Sequence, residues 1–126
     1  MKHLLPSLSI LFVLLIFSLA NSAYLNTLTN SCQMHVSQAD ALAAQGRWEE
    51  AYRVIEKSCR DWSSRQPYLH IILDRTVVTD ILTAYHRAAA FALTQEPSEF
   101  RAEAAQLQTQ LSFLARSETL SLESLL

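Results

Sequence analysis

Glycine is all but missing: the 126 residues hold one, Gly46, with three prolines and two cysteines. A single glycine cannot build a phosphate-cradling loop, and so few turn residues argue against a set of tight strand hairpins. Charge is missing too, from Leu4 to Ala39, a run of 36 residues without Asp, Glu, Lys or Arg. From Asp40 onward nine Lys or Arg stand against twelve Asp or Glu, a formal balance of minus three, with the signs interspersed. No basic face is available to displace counterions, which excludes nucleic acid as a partner. What remains is rich in Ala, Leu, Gln and Glu, the composition of an all-α protein.

The uncharged run opens on a 13-residue core of Leu, Ile, Phe and Val, Leu8 to Ala20, behind Lys2. Two readings stay open. A positive start, a short apolar stretch and the small residues Ser18 and Ala20 fit a signal peptide. Residues 4–23 would equally form about 30 Å of helix, enough to cross the hydrocarbon as an anchor. Either reading puts residues 24–126 outside the cytoplasmic membrane, since Lys2 is the only nearby positive charge and should stay inside. The expected organisation is therefore an anchor or signal over 1–23 and an extracytoplasmic domain over 24–126. That domain, roughly 100 residues, is enough for one small unit.

Beyond the leader the apolar positions keep helical spacing. Leu25, Leu28, Cys32, His35, Ala39 and Leu42 form a stripe that ends at Gly46, the natural left-handed residue after a helix. Trp48, Ala51, Ile55, Cys59 and Trp62 form a second, ending in Ser63-Ser64-Arg65-Gln66. Pro67 suits the start of a third helix carrying Ile71, Val78, Leu82, Tyr85, Ala89 and Ala92. Pro97 opens a fourth, in which Phe100, Ala104, Leu107, Leu111 and Leu114 step by four and three. Short connections favour antiparallel neighbours, so the pattern predicts two antiparallel helical hairpins forming a small bundle. The segment Gln45-Gly46-Arg47-Trp48-Glu49-Glu50-Ala51, with Glu56-Lys57 after it, resembles the turn and second helix of a tetratricopeptide repeat. Gln95-Glu96-Pro97-Ser98-Glu99-Phe100 echoes it 50 residues later. That is not the period of a repeat array, so the likeness marks a helical hairpin rather than a peptide-binding solenoid.

Few residues offer chemistry. Cys32 and Cys59 lie 14 residues before and 13 after Gly46, at nearly the same height on an antiparallel hairpin. In an oxidising compartment they would form a disulfide, contributing about 3 to 4 kcal/mol by loop-closure entropy, the alternative being two reduced, buried thiols. Cys32, His35 and Cys59 are the candidate metal ligands, but spacing supplies no fourth. His70 with Asp74, and Asp80 with His86, have the spacing or proximity of an oriented base, yet no Ser or Cys nucleophile accompanies them, and such pairs are ordinary surface contacts. Trp48 and Trp62 fall at core positions. The expectation is a protein that is not an enzyme and has no cofactor.

The apolar N-terminal span, the Gly46-Arg47-Trp48-Glu49-Glu50-Ala51 hairpin, Trp62, Ile72-Leu73-Asp74 leading into Val78 and Asp80-Ile81, the Leu-rich last helix and the ending Ser121-Leu122-Glu123-Ser124-Leu125-Leu126 together resemble a bacterial family, domain of unknown function forty-three sixty-three, found mainly in clostridia and their spore-forming relatives. The ending is the most distinctive part, although Ser124 departs from the Asn common there. His and acidic residues of the family are replaced by Arg75, Thr76, Val77, Val78 and Thr79. The resemblance implies an uncleaved anchor with a helical domain outside, and no activity. The combined expectation is a single-pass, membrane-anchored interaction or scaffold module with its N-terminus inside. An envelope or membrane protein is its expected partner, engaged through Leu120, Leu122, Leu125 and Leu126. Alternatives from other classes are a metal-dependent or thiol-based factor using Cys32, His35 and Cys59, and a cleaved, secreted helical protein.

Overall fold

A computed structural model describes the backbone over residues 4–125 and the side chains over residues 5–116. Among the described residues there are five α-helices and no strand: α1 Leu4–Ala44, α2 Trp48–Ser64, α3 Gln66–Ile72, α4 Arg75–Leu93 and α5 Pro97–Leu125. The 41 residues of α1 amount to about 60 Å of continuous helix, so the leader and the first amphipathic stripe are one rod with no linker at residue 23. Its first part is apolar all round and uncovered, with Leu8, Phe12 and Phe17 each about 60% exposed. This stretch, of mean hydropathy 2.1, is long and apolar enough to cross a membrane, and a signal sequence has the same character. From Ser22 on, α1 becomes one-sided. Leu25, Leu28, Cys32, Val36 and Ala39 are buried against α2 and α5, while Met34 stays exposed.

The core is shared by α1, α2, α4 and α5: α1 packs on α2 and α5, and α4 packs on the same two. Its bulk is not even. Alanines Ala39, Ala43, Ala51, Ala88, Ala92 and Ala104 are buried toward the α1–α2 and α4–α5 turns. Trp62, Leu69, Val78 and Leu111 fill the other end, and the Trp62 indole Nε1 donates to the Val78 carbonyl at 3.2 Å, so its one polar atom is not stranded. Trp48, half-buried, meets Phe100 edge to face with ring centroids 5.7 Å apart. Polar links add to the α1–α5 contact. Gln33 Nε2 donates to Ser112 Oγ at 3.2 Å, and Gln108 Nε2 donates to the Gln33 carbonyl at 2.9 Å.

The third helix of the sequence reading is in fact two. Leu73 is extended, at φ −126° and ψ 159°, and the Asp74 carboxylate accepts from the Thr76 N–H at 3.2 Å, capping a new helix. A cap satisfies an N–H that an uninterrupted helix would have satisfied with backbone, so Asp74 offers the chain an alternative to continuing. Pro67 stands in the first turn of α3, where its missing N–H costs nothing.

The α1–α2 and α4–α5 turns use the same device. Gly46, at φ 78°, donates to the Ala43 carbonyl at 2.9 Å and Arg47 to the Leu42 carbonyl at 2.9 Å, the paired bonds of a Schellman ending. After α4 the same two bonds run from Gln95 to Ala92 at 3.3 Å and from Glu96 to Phe91 at 3.0 Å, but the left-handed residue is Gln95, at φ 54°. The echo between Gly46 and Gln95 is therefore a repeated turn geometry, and the second copy carries a Cβ in a region where one costs about 1 kcal/mol. A Cβ added at Gly46 would meet no atom within 4 Å, so only the backbone term is at stake there. Gly46→Ala should destabilise the detergent-solubilised full chain by about 1 kcal/mol, and Gln95→Gly should stabilise it by up to about 1 kcal/mol. Guanidinium unfolding followed by circular dichroism measures both. Shifts of the same sign would contradict the left-handed assignment.

Candidate functional site: a buried polar crossing between three helices

Ser58 is the centre of the least expected part of the core. It is fully buried on α2 and its hydroxyl lies 2.7 Å from the Tyr85 hydroxyl of α4, which is also fully buried. The Cys32 thiol of α1 lies close enough for both hydroxyls to act on it. Three helices therefore meet at three weakly polar groups, each of which can donate or accept. Burial pushes the Cys32 thiol up from its ordinary range, with the Tyr85 and Ser58 hydroxyls only partly opposing the shift. Burial, then the nearby Cys32, pushes the Tyr85 phenol well above its usual value. Cys59 is also raised, by burial and then by the Glu56 carboxylate. Neutral thiols are poor nucleophiles and poor metal ligands, and the three groups together tie α1, α2 and α4 to one another.

Beside it, a cavity of about 150 Å³ opens between α1 and the end of α2, lined by Tyr24, Thr27, Leu28, Ser31, Cys32, His35, Asp61 and Arg65. Arg65 Nη1 donates to the Tyr24 hydroxyl at 2.5 Å, and its guanidinium lies 5.5 Å from the Tyr24 ring centroid. Tyr24 meets Tyr68 edge to face at 5.1 Å, and the Tyr68 hydroxyl donates to Asn21 Oδ1. These four side chains make a collar where α1 passes from exposed to buried.

The expected disulfide is corrected by this geometry: Cys32 and Cys59 are both buried free thiols that do not face each other. The height read from Gly46 was right to within a residue, but the residue level with Cys32 and turned toward it is Ser58. Its neighbour Cys59 points about 100° away around α2. The candidate metal set fails with it. His35 lines the cavity beside Cys32, Cys59 is elsewhere, and no group of three His, Cys, Asp or Glu side chains is placed to hold an ion among the described residues. His70 and Asp74 fall on different elements, Asp74 being spent on its cap, while Asp80 and His86 are both exposed on α4. The side chains of Leu120, Leu122, Leu125 and Leu126 lie outside the described residues.

Ser58 and the Asn21–Tyr24–Arg65–Tyr68 collar were not singled out from the sequence. Ser58 had a signal: Ala51, Ile55, Ser58 and Trp62 step by four, three and four, which places the serine in the seam and not beside it. Tyr24, just past the long apolar run, had a weaker one.

Residues 19–125 match the family described as Domain of unknown function (DUF4363). No curated protein and no solved structure matches the chain.

Ser58→Ala should cost about 1 to 2 kcal/mol, Tyr85→Phe a similar amount, and the double variant less than their sum, because each single change strands the other hydroxyl. The thiols supply a pH test. Their folded pKa values lie above the unfolded value of 9.0, so the unfolded chain loses those protons first; the stability they contribute is intact below pH 9 and declines as pH rises beyond it. A Cys32→Ala, Cys59→Ala variant should lose less stability between pH 8 and 10 than the parent, read by denaturant midpoints at fixed ionic strength. Equal slopes would show that burial of the thiols contributes nothing.

Proposed function

The chain belongs to the DUF4363 family, and from that footing we propose that it is a non-catalytic, single-pass membrane protein whose helical domain works outside the cytoplasmic membrane as an interaction or scaffold module for an envelope or membrane protein. One observation carries the reading: within one unbroken helix, the first turns are apolar on every side and uncovered, and the following turns are apolar on the one side that α2 and α5 cover. A helix apolar all round needs a hydrocarbon environment, because no part of so small a domain reaches it. The absence of acidic and basic side chains from Leu4 to Ala39 removes the largest cost of placing it there.

We read the domain itself as two antiparallel hairpins, α1–α2 and α4–α5, set side by side. In support, Tyr24 meets Arg65 while Cys32 lies by Ser58, so numbering falls along α2 as it rises along α1. The same inverse order links Ser58 with Tyr85 and Trp62 with Val78, and it links Arg87 with Glu103 and Ile81 with Phe113. With thiols held neutral, no metal cluster among the described residues and a core closed by side chains, the exposed helix faces and the C-terminal segment are what the domain offers to a partner.

The anchor has a direct test. Full-length protein should stay with membranes through alkaline carbonate washing and show an unshortened intact mass. Release into the medium with loss of about 20 to 23 residues would establish the secreted form instead. Deleting residues 120–126 should abolish crosslinking to a partner in native membranes without changing the helical signal. Crosslinks that survive the deletion would move the contact surface elsewhere.

A further inference from the structure

The short helix α3 sits at the level where α1 leaves the bundle. It is fixed there by the Tyr68 hydrogen bond to Asn21, by the Tyr24–Tyr68 ring contact at 5.1 Å and by Arg65, at the α2–α3 corner, bonded to Tyr24 at 2.5 Å. Only Leu69 of α3 is buried in the core; Pro67 and Ile71, one turn apart, face outward, and Ile71 is 81% exposed, more than any other large apolar side chain among the described residues. Its helix is joined to α1 where the uncovered apolar stretch ends. Between the last exposed turns of α1 and α3 lies an open notch of about 400 Å³, lined by Phe17, Ala20, Asn21, Tyr24 and Tyr68.

Charge agrees with the location. Residues 62–73 contain no Asp or Glu, in a domain that is otherwise acidic, and carry Arg65 and His70. Tyrosines with an arginine at the end of an apolar span are the side chains that suit the headgroup layer, each with an apolar body and a polar tip.

Resting on the anchor reading above, we propose that α3 is an interfacial element seated on the phospholipid surface of the bilayer that α1 crosses. Pro67 and Ile71 enter the boundary between headgroups and acyl chains, Tyr68 and Tyr24 stand at headgroup level, and the notch beside Phe17 takes part of an adjacent phospholipid. The break at Leu73 and Asp74 then has a purpose: it frees seven residues from the line of α4 to lie against the membrane. Such a foot would fix the tilt of the domain by two attachments instead of one.

Spin labels at single cysteines, in full-length Cys32→Ala, Cys59→Ala protein reconstituted into vesicles of phosphatidylcholine and phosphatidylglycerol, test this. The sites are Ile71→Cys, Phe12→Cys in the span and Met34→Cys, about 33 Å further along α1. The ratio of oxygen to nickel-chelate accessibility reports depth. The expected order is Phe12→Cys deepest, Ile71→Cys several-fold above Met34→Cys, and Met34→Cys aqueous. If Ile71→Cys equals Met34→Cys while Phe12→Cys is deep, the interfacial foot is refuted and the anchor stands. If Phe12→Cys is also aqueous, the anchor fails and this inference falls with it.

Discussion

Everything in this molecule hangs on α1 having to be one helix in two surroundings. Its exposed half is apolar on all sides and its covered half is apolar on one, and no glycine, proline or loop separates them between Ser7 and Ala44. A stiff rod of this kind transmits orientation: whatever holds residues 5–20 also sets the direction of α2 and α5, which are packed on its continuation. On the proposed reading, the domain is held at a defined angle to the membrane rather than swinging on a linker. The collar of Asn21, Tyr24, Arg65 and Tyr68 marks the junction, and its hydrogen bonds and ring contact join the corner between α2 and α3 to the turn of α1 where the surroundings change.

The rest of the core follows from how much room lies between the helices at each level. Small alanines near the turns let helices come close, while Trp62, Leu69 and Leu111 fill the wider end near the collar. In the middle, Cys32, Ser58 and Tyr85 replace apolar contacts with a hydrogen-bonded crossing. Its value is specificity: a slip of α2 along α1 by one helical turn would bring an apolar stripe back to the core but would strand two buried hydroxyls, which costs more than the hydrogen bond itself contributes. Burial raises both the Cys32 thiol and the Tyr85 phenol, and the Ser58 and Tyr85 hydroxyls act on that thiol.

Length, spacing and punctuation were legible in the amino-acid order to different degrees. Gly46 and Pro97 fixed where helices end and begin because each acts through its own backbone. Trp62 and the Phe100, Leu107, Leu111 seam could be placed inside because helical spacing alone brings them to one face. The division of the third helix escaped, since Asp74 is an acceptable helix residue until its side chain finds the Thr76 N–H. The pairing of Cys32 escaped for a different reason. Counting from a turn gives height along a helix to about a residue, but one residue is about 100° of azimuth, and azimuth decides what faces what.

The order of residues by itself determined that the chain is helical and that its first segment is apolar on every side, because these depend on composition and local period. Tertiary structure alone decided that Ser58 rather than Cys59 answers Cys32, that α3 stands apart from α4 and that Arg65 is joined to Tyr24, 41 positions away. Those outcomes depend on how helices rotate against one another to close a core, a balance among many side chains that no local stretch encodes.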